Sequence, residues 1–154
     1  MQLSLHKAGE DQFENRRRNV ARVLLADADL ASRLTIRTLL SVAGYSVDTA
    51  GSASEAMARL DSDEYQLVMA DLRSESDEAG SRLLAYARQK DFRPATALIS
   101  SRMSEMDDSG AHCDSADSVV RMSNENVSYL LARVAELISH RADRRIRESL
   151  RRAS

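Results

Sequence analysis

The chain has 154 residues, enough for one domain with a sizeable core, and its 43% hydrophobic and 30% charged content fits a folded globular protein rather than a disordered one. Six aromatic residues and no Trp leave Leu, Val, Ile, Ala and Met to fill that core, and no apolar run is long enough for a membrane span or a signal peptide. The net charge of −2 is uneven: residues 1–21 carry +1, residues 22–140 carry twelve basic against nineteen acidic side chains, and residues 141–154 carry six Arg against Asp143 and Glu148. An acidic body with a basic tail is not the pattern of a nucleic-acid-binding domain, whose charge gathers on one folded face. The expected location is the cytoplasm, with neither nucleic acid nor membrane as partner. Cys113 is the only cysteine, so no internal disulfide forms, and its polar surroundings mark it as a bystander thiol.

Residues 1–21 show no sustained periodicity and read as a flexible extension, with Arg16-Arg17-Arg18 a solvated flank. Val23-Leu24-Leu25-Ala26 runs into Asp27, a short apolar stretch of the kind buried on both faces of a parallel sheet. Ile36, Leu39, Leu40 and Ala43 follow with helical spacing, Leu30 and Leu34 extend that face, and Gly44 is placed to end the helix in a left-handed conformation. Tyr45 to Thr49 alternates as a shorter, more exposed strand. Ser52 and Glu55 form a capping-box signature for a helix burying Ala56, Met57 and Leu60.

Leu67-Val68-Met69-Ala70-Asp71 is the central strand, followed by the polar segment 73–79 and then Gly80, which precedes a helix carrying Leu83, Leu84 and Ala87. Pro94 marks the entrance to a strand over Thr96–Ile99, ending in Ser100-Ser101. Residues 102–118 are polar and irregular, with at most a weak helix. Val119-Val120 is the last strand, and Val127, Leu130, Leu131, Val134, Leu137 and Ile138 give the clearest amphipathic helix. The alternation predicts an α/β, flavodoxin-like doubly wound domain over residues 22–140: five parallel strands in the order 2-1-3-4-5 with five helices. In that order Asp27 and Asp71 end the two strands at the switch point, an oxygen-rich pair suited to Mg²⁺. No Gly-rich phosphate loop, nucleophile elbow or paired metal-binding histidines are present, and His6, His112 and His140 lie away from any strand end. The chain is not expected to be an enzyme.

Val23 to Asp27 with the first helix, Tyr65 to Leu72, Pro94 to Ser100 and Leu130 to Val134 together resemble the receiver domain of bacterial two-component response regulators. The resemblance implies phosphorelay signalling in which a histidine kinase or phosphotransferase phosphorylates Asp71. It also implies a switch hydroxyl at Ser100, and a Mg²⁺ ion held by Asp27, Asp71 and the backbone carbonyl of Arg73. Signalling would pass to a downstream protein partner, or to a second copy through the last strand and helices.

The sequence departs from the family in ways that bear on this chemistry. The second acid after strand 1 is Ala28, so Mg²⁺ binding is expected to be weak, while Asp29 is placed to cap the helix. No Lys follows Lys90 and no Pro follows Pro94, so the family's Lys-Pro after strand 5 is absent and Arg121 is the nearest cation. The aromatic that usually precedes that Lys is replaced by Ser118 or Val119. Each site residue therefore keeps a plain alternative: Asp71 a vestigial strand-end acid, Asp27 a partner for Arg121, Ser100 an ordinary hydroxyl, and Arg73 a solvated loop arginine.

Two functions follow. One is an atypical single-domain response regulator accepting phosphate on Asp71; the other is a phosphorylation-independent pseudo-receiver serving as adaptor or dimerisation module. Fourteen residues beyond His140 are too few for an output domain. Ile138, Ala142, Ile146 and Leu150 repeat at i+4 among the arginines, so residues 141–154 read as a basic continuation of the last helix, either solvated or docked on a partner.

Overall fold

In a computed structural model, which describes residues 20–73, 75–100, 116–121 and 127–153, the chain alternates strands and helices as the apolar pattern predicts. In chain order the elements are β1 (Arg22–Asp27), α1 (Leu30–Val42), β2 (Ser46–Ala50), α2 (Ala53–Ser62), β3 (Leu67–Asp71), α3 (Ala79–Arg88), β4 (Ala95–Ser100), β5 (Ser118–Arg121) and α4 (Val127–Ala153). The strands form one parallel sheet in the order β2-β1-β3-β4-β5. The weak helix expected within residues 102–118, the fifth of the expected set, falls largely outside the described residues, as does nearly all of the amino-terminal extension.

Alternation along the central strands divides the core in two. Leu24 and Ala26 of β1, with Val68 and Ala70 of β3, pack against Ala56 and Leu60 of α2 and Leu83, Leu84 and Ala87 of α3. Val23, Leu25, Leu67 and Met69 face the other way, onto Ile36 and Leu40 of α1 and Leu130, Val134 and Leu137 of α4. Covered on both faces, β3 and the part of β1 after Arg22 have no polar position until their last residues. Each such leucine, fully buried, contributes about 1.5–3 kcal/mol.

Local chemistry sets the ends of the helices. Asp29 caps α1, its Oδ2 accepting from the Ser32 N–H at 2.9 Å. At the other end Gly44 takes φ +102°, its N–H donating to the Ser41 carbonyl while the Tyr45 N–H donates to Leu40, a Schellman closure. Ser52 caps α2 by accepting from the Glu55 N–H, but Glu55 reaches back to the N–H of Gly51, one residue earlier than the capping box implies.

Three sequence expectations are corrected. Leu30 and Leu34 do not extend the buried face of α1; they are 58% and 49% exposed, because Leu34 lies about 200° around the helix from Ile36. Ala43 is exposed as well. Gly80 does not precede α3 but lies in its first turn, where a Cβ would meet the Leu98 side chain at 3.2 Å; the missing side chain lets the helix seat closely on β4. Replacing Gly44 by Ala puts no atom in a crowded place but forces a positive φ on an L-residue. We expect a loss of about 1–2 kcal/mol in stability, read as a lower urea midpoint with an unchanged slope.

Candidate functional site

The site is built by the pairing of β1 with β3. Their register sets Val23 against Leu67 and continues without a break to Asp27 against Asp71. Neighbouring strands lie about 4.8 Å apart, so two carboxylates meet where both apolar runs stop. The Ala28 N–H donates to the Asp71 carbonyl at 3.1 Å and ties the loop after β1 to the end of β3.

The two acids differ in surroundings. Asp27 is 1% exposed; its Oδ1 accepts from the Asp29 N–H at 2.9 Å, and its Oδ2 is buried without a hydrogen-bond partner among the described residues. Asp71 is 15% exposed at its side chain and lies 3.8 Å from the Arg73 Nε. Burial and the neighbouring Asp27 charge push its carboxyl above the ordinary aspartate range, opposed by the Arg73 guanidinium and the Arg73 backbone N–H. Arg73 is thus not the solvated loop arginine of the plain alternative.

The segment after β3 is shaped by turns. Leu72 O accepts from the N–H groups of Glu75 and Ser76, and Ser76 Oγ accepts from the Ala79 N–H at the start of α3. Glu75 accepts from the Ala53 N–H at 3.0 Å, fastening the loop to the first turn of α2. Arg33 is the residue that sequence reading missed: from α1 its Nη1 donates to the Asp27 carbonyl at 2.8 Å. Nothing in its spacing separates it from exposed Arg37 on the same helix. Only the fold aims it at the site.

Ser100 and Arg121 close β4 and β5 and are register partners, which puts Arg121 at the carboxyl edge of the sheet. Their side chains lie outside the described residues. Ser118, in the region where the family carries its aromatic, is buried, and its hydroxyl accepts from Arg133 of α4.

Among the described residues no group of three or more His, Cys, Asp and Glu side chains is arranged to hold a metal. Two carboxylates remain, one with an unpaired buried oxygen, while half-buried Ala28 offers no oxygen from its side chain. That set suits a hard cation that keeps most of its water and takes one or two protein carboxylates. Asp29 is exposed and occupied in capping α1.

Solved structures share this architecture. The response regulator TrrA of Thermotoga maritima, in complex with Mg²⁺ and BeF, is 25% identical over 77% of this chain and 99% of its own, with a TM-score of 0.65. A CheY-like receiver domain protein of Methanospirillum hungatei is 22% identical, covers 82% and 99%, and has a TM-score of 0.69. The receiver domain of a LuxO-type repressor from Vibrio parahaemolyticus is 18% identical over 84% and 98%, at a TM-score of 0.69. The chain has the receiver fold of response regulators. No protein-family model matches the sequence, and none of the curated proteins matches it.

The raised proton affinity of Asp71 has a defined consequence for stability. The folded protein holds that proton more tightly than the unfolded chain does. Its stabilising contribution is therefore complete below the ordinary aspartate pKa of about 4 and is lost as pH rises through the higher folded value. Asp71→Asn should melt above wild type at neutral pH, and the gap should close on acidification. Thermal melts at both ends of the range check this.

Proposed function

We propose that the chain is an atypical response-regulator receiver in two-component signalling, accepting a phosphoryl group on Asp71 and acting through protein contacts. The observation that carries the reading is the register that sets Asp71 beside Asp27, whose buried Oδ2 has no partner among the described residues. The Mg²⁺ and BeF complex of TrrA supports it.

The transfer needs Asp71 ionised, so that a carboxylate oxygen can attack the phosphorus of a phosphohistidine or small acyl phosphate. A P–O bond to Asp71 forms as the donor's P–N or P–O bond breaks, and the electron pair leaves with the donor's imidazole or carboxylate. Asp27 and Asp71 would hold Mg²⁺, with the Arg73 carbonyl as third ligand; such an ion supplies positive charge against the crowded phosphoryl and carboxylate oxygens. Arg73 brings a guanidinium to the same edge. Ser100 and Arg121 end adjacent strands there, and we assign them the roles of switch hydroxyl and replacement for the family's lysine.

A second reading, the phosphorylation-independent pseudo-receiver, is favoured by the Asp71–Arg73 pair. An internal cation already offsets the acceptor's charge. Incubation with a small acyl phosphate and Mg²⁺ separates the two. The receiver reading expects one added phosphoryl group by intact mass, absent in Asp71→Asn; a wild type that stays unmodified, even with a histidine kinase supplied, leaves only the pseudo-receiver. A third measurement follows from the missing acid. Ala28→Asp should raise Mg²⁺ affinity by about an order of magnitude, read as a larger Mg²⁺-dependent rise in melting temperature than in wild type.

A further inference from the structure

At the opposite end of the sheet, helix α4 continues past its apolar stretch and changes what it packs with. Leu130, Val134 and Leu137 face the core; one turn on, the inward position is Arg141, only 9% exposed. Its Nε donates to the Arg93 carbonyl at 3.1 Å and its Nη2 to the Phe92 carbonyl at 2.6 Å, while Arg145 Nη1 shares the Phe92 carbonyl at 2.9 Å. These acceptors are neutral. They satisfy N–H groups without cancelling charge.

Between this part of α4 and the turn before β4 lies a cavity of about 600 Å³, within the range of about 300–1,000 Å³ typical of small-molecule sites. Seven cationic side chains and three carboxylates line it, and with Lys90 paired to Asp61 outside the lining a formal excess of three positive charges remains. Two carboxylates are engaged: Glu148 pairs with Arg93 at 3.2 Å and Asp117 with Arg144 at 3.6 Å. Asp117 also accepts from the Thr96 N–H at 2.8 Å, so its charge is shared with the sheet. Burial, then Arg145 and Arg144, pull Arg141 below the ordinary arginine value, against a weaker pull from Glu64; the guanidiniums crowd one another. A smaller hollow of about 80 Å³ reaches the same Arg145 and extends to Ser149 and Arg152. Among the described residues no aromatic side chain lines either space, so they offer no platform for a nucleobase.

We propose that this cavity is a binding site for a small polyanion bearing two or more linked phosphates, held by Arg141, Arg145 and Arg152 through charge-assisted hydrogen bonds. A single phosphate, at about −1.5 to −2, leaves part of the charge excess uncompensated, whereas a chain of phosphates would reach both the main cavity and its neighbour. The source is an inorganic polyphosphate or the phosphate chain of a nucleotide. The ligand would link α4 to the body of the protein, adding to the contacts that Arg141 already makes.

The test is calorimetric titration of the full chain with inorganic tripolyphosphate, at ionic strength matched with sodium chloride. The expected result is saturable one-to-one binding that the Arg145→Gln/Arg152→Gln double variant weakens roughly tenfold or more. Asp71→Asn should bind as wild type does, which separates this site from the phosphoryl acceptor. Circular dichroism of the double variant checks that it remains folded, and Arg152→Gln alone, at an exposed position, gives a second, milder comparison. Equal affinity for tripolyphosphate and a nucleoside triphosphate supports the inorganic chain as ligand; tighter binding of the nucleotide supports the nucleotide. Absence of saturable binding, equal binding by sulfate, or equal binding by a folded double variant overturns the proposal.

Discussion

The constraint on which the rest depends is the register between β1 and β3. Both strands are buried on both faces, so a slip of one residue would exchange the two apolar layers beneath the helices and move each side chain to the wrong core. With the register held from Val23–Leu67 onward, Asp27 and Asp71 have no choice but to meet. The cost is like-charge repulsion in a partly dry place, visible in the raised proton affinity of Asp71. The surroundings reduce it only in part. Arg73 approaches Asp71, but Arg33 donates to the backbone carbonyl of Asp27 and leaves the carboxylate's Oδ2 unpaired among the described residues. The packing of the core thus creates a local demand for positive charge at one edge of the sheet, whichever function meets it.

How that demand is met depends on geometry as much as charge. An ammonium is compact and moves on a flexible stem; a guanidinium is broad, planar and directional. This chain has twenty Arg and two Lys, and Lys90, the one within the described residues, is committed to Asp61 on the far side of α2 and α3. Among the described residues, the cations within reach of the acid pair are therefore arginines. Arg73 also contributes its backbone N–H to the Asp71 carboxylate, so its influence is partly independent of where the guanidinium points.

The order of elements and the strand-end acids were legible because they rest on strong local signals: four-residue apolar runs ending in Asp, and a glycine where a helix must stop. The helical cap of Asp29 was legible for the same reason, as was β2 as a shorter, more exposed strand, although its burial does not alternate. Other features were not. Leu34 looks like core in a list of apolar residues, yet a helix packed on a sheet buries a narrow stripe, and Ile36 and Leu40 fill it. Arg33 looks like Arg37, since their difference lies in which loop folds over them. Gly80 resembles a helix boundary, whereas its small size serves the approach to Leu98. The Arg33 and Gly80 misses concern contacts between segments distant in sequence, where periodicity carries no information.

The tail illustrates the same limit and adds a physical point. The apolar repeat of Ile146 and Leu150 suggested a face for a partner; those side chains are 59% and 66% exposed, and it is Arg141 and Arg145 that hold the helix to its own body. Past Leu137 the neighbouring surface is no longer sheet but the carbonyl groups of the turn at Phe92 and Arg93, for which a guanidinium is the better complement. The sheet consequently carries opposite charge at its two ends: carboxylates at the carboxyl edge, arginines beside the amino ends of β4 and β5. Six-residue β4 spans about 20 Å between them, more than twice the Debye length of about 8 Å in physiological salt. Its parallel pairing to β3 and β5 holds that separation, so a direct electrostatic coupling between the ends is weak.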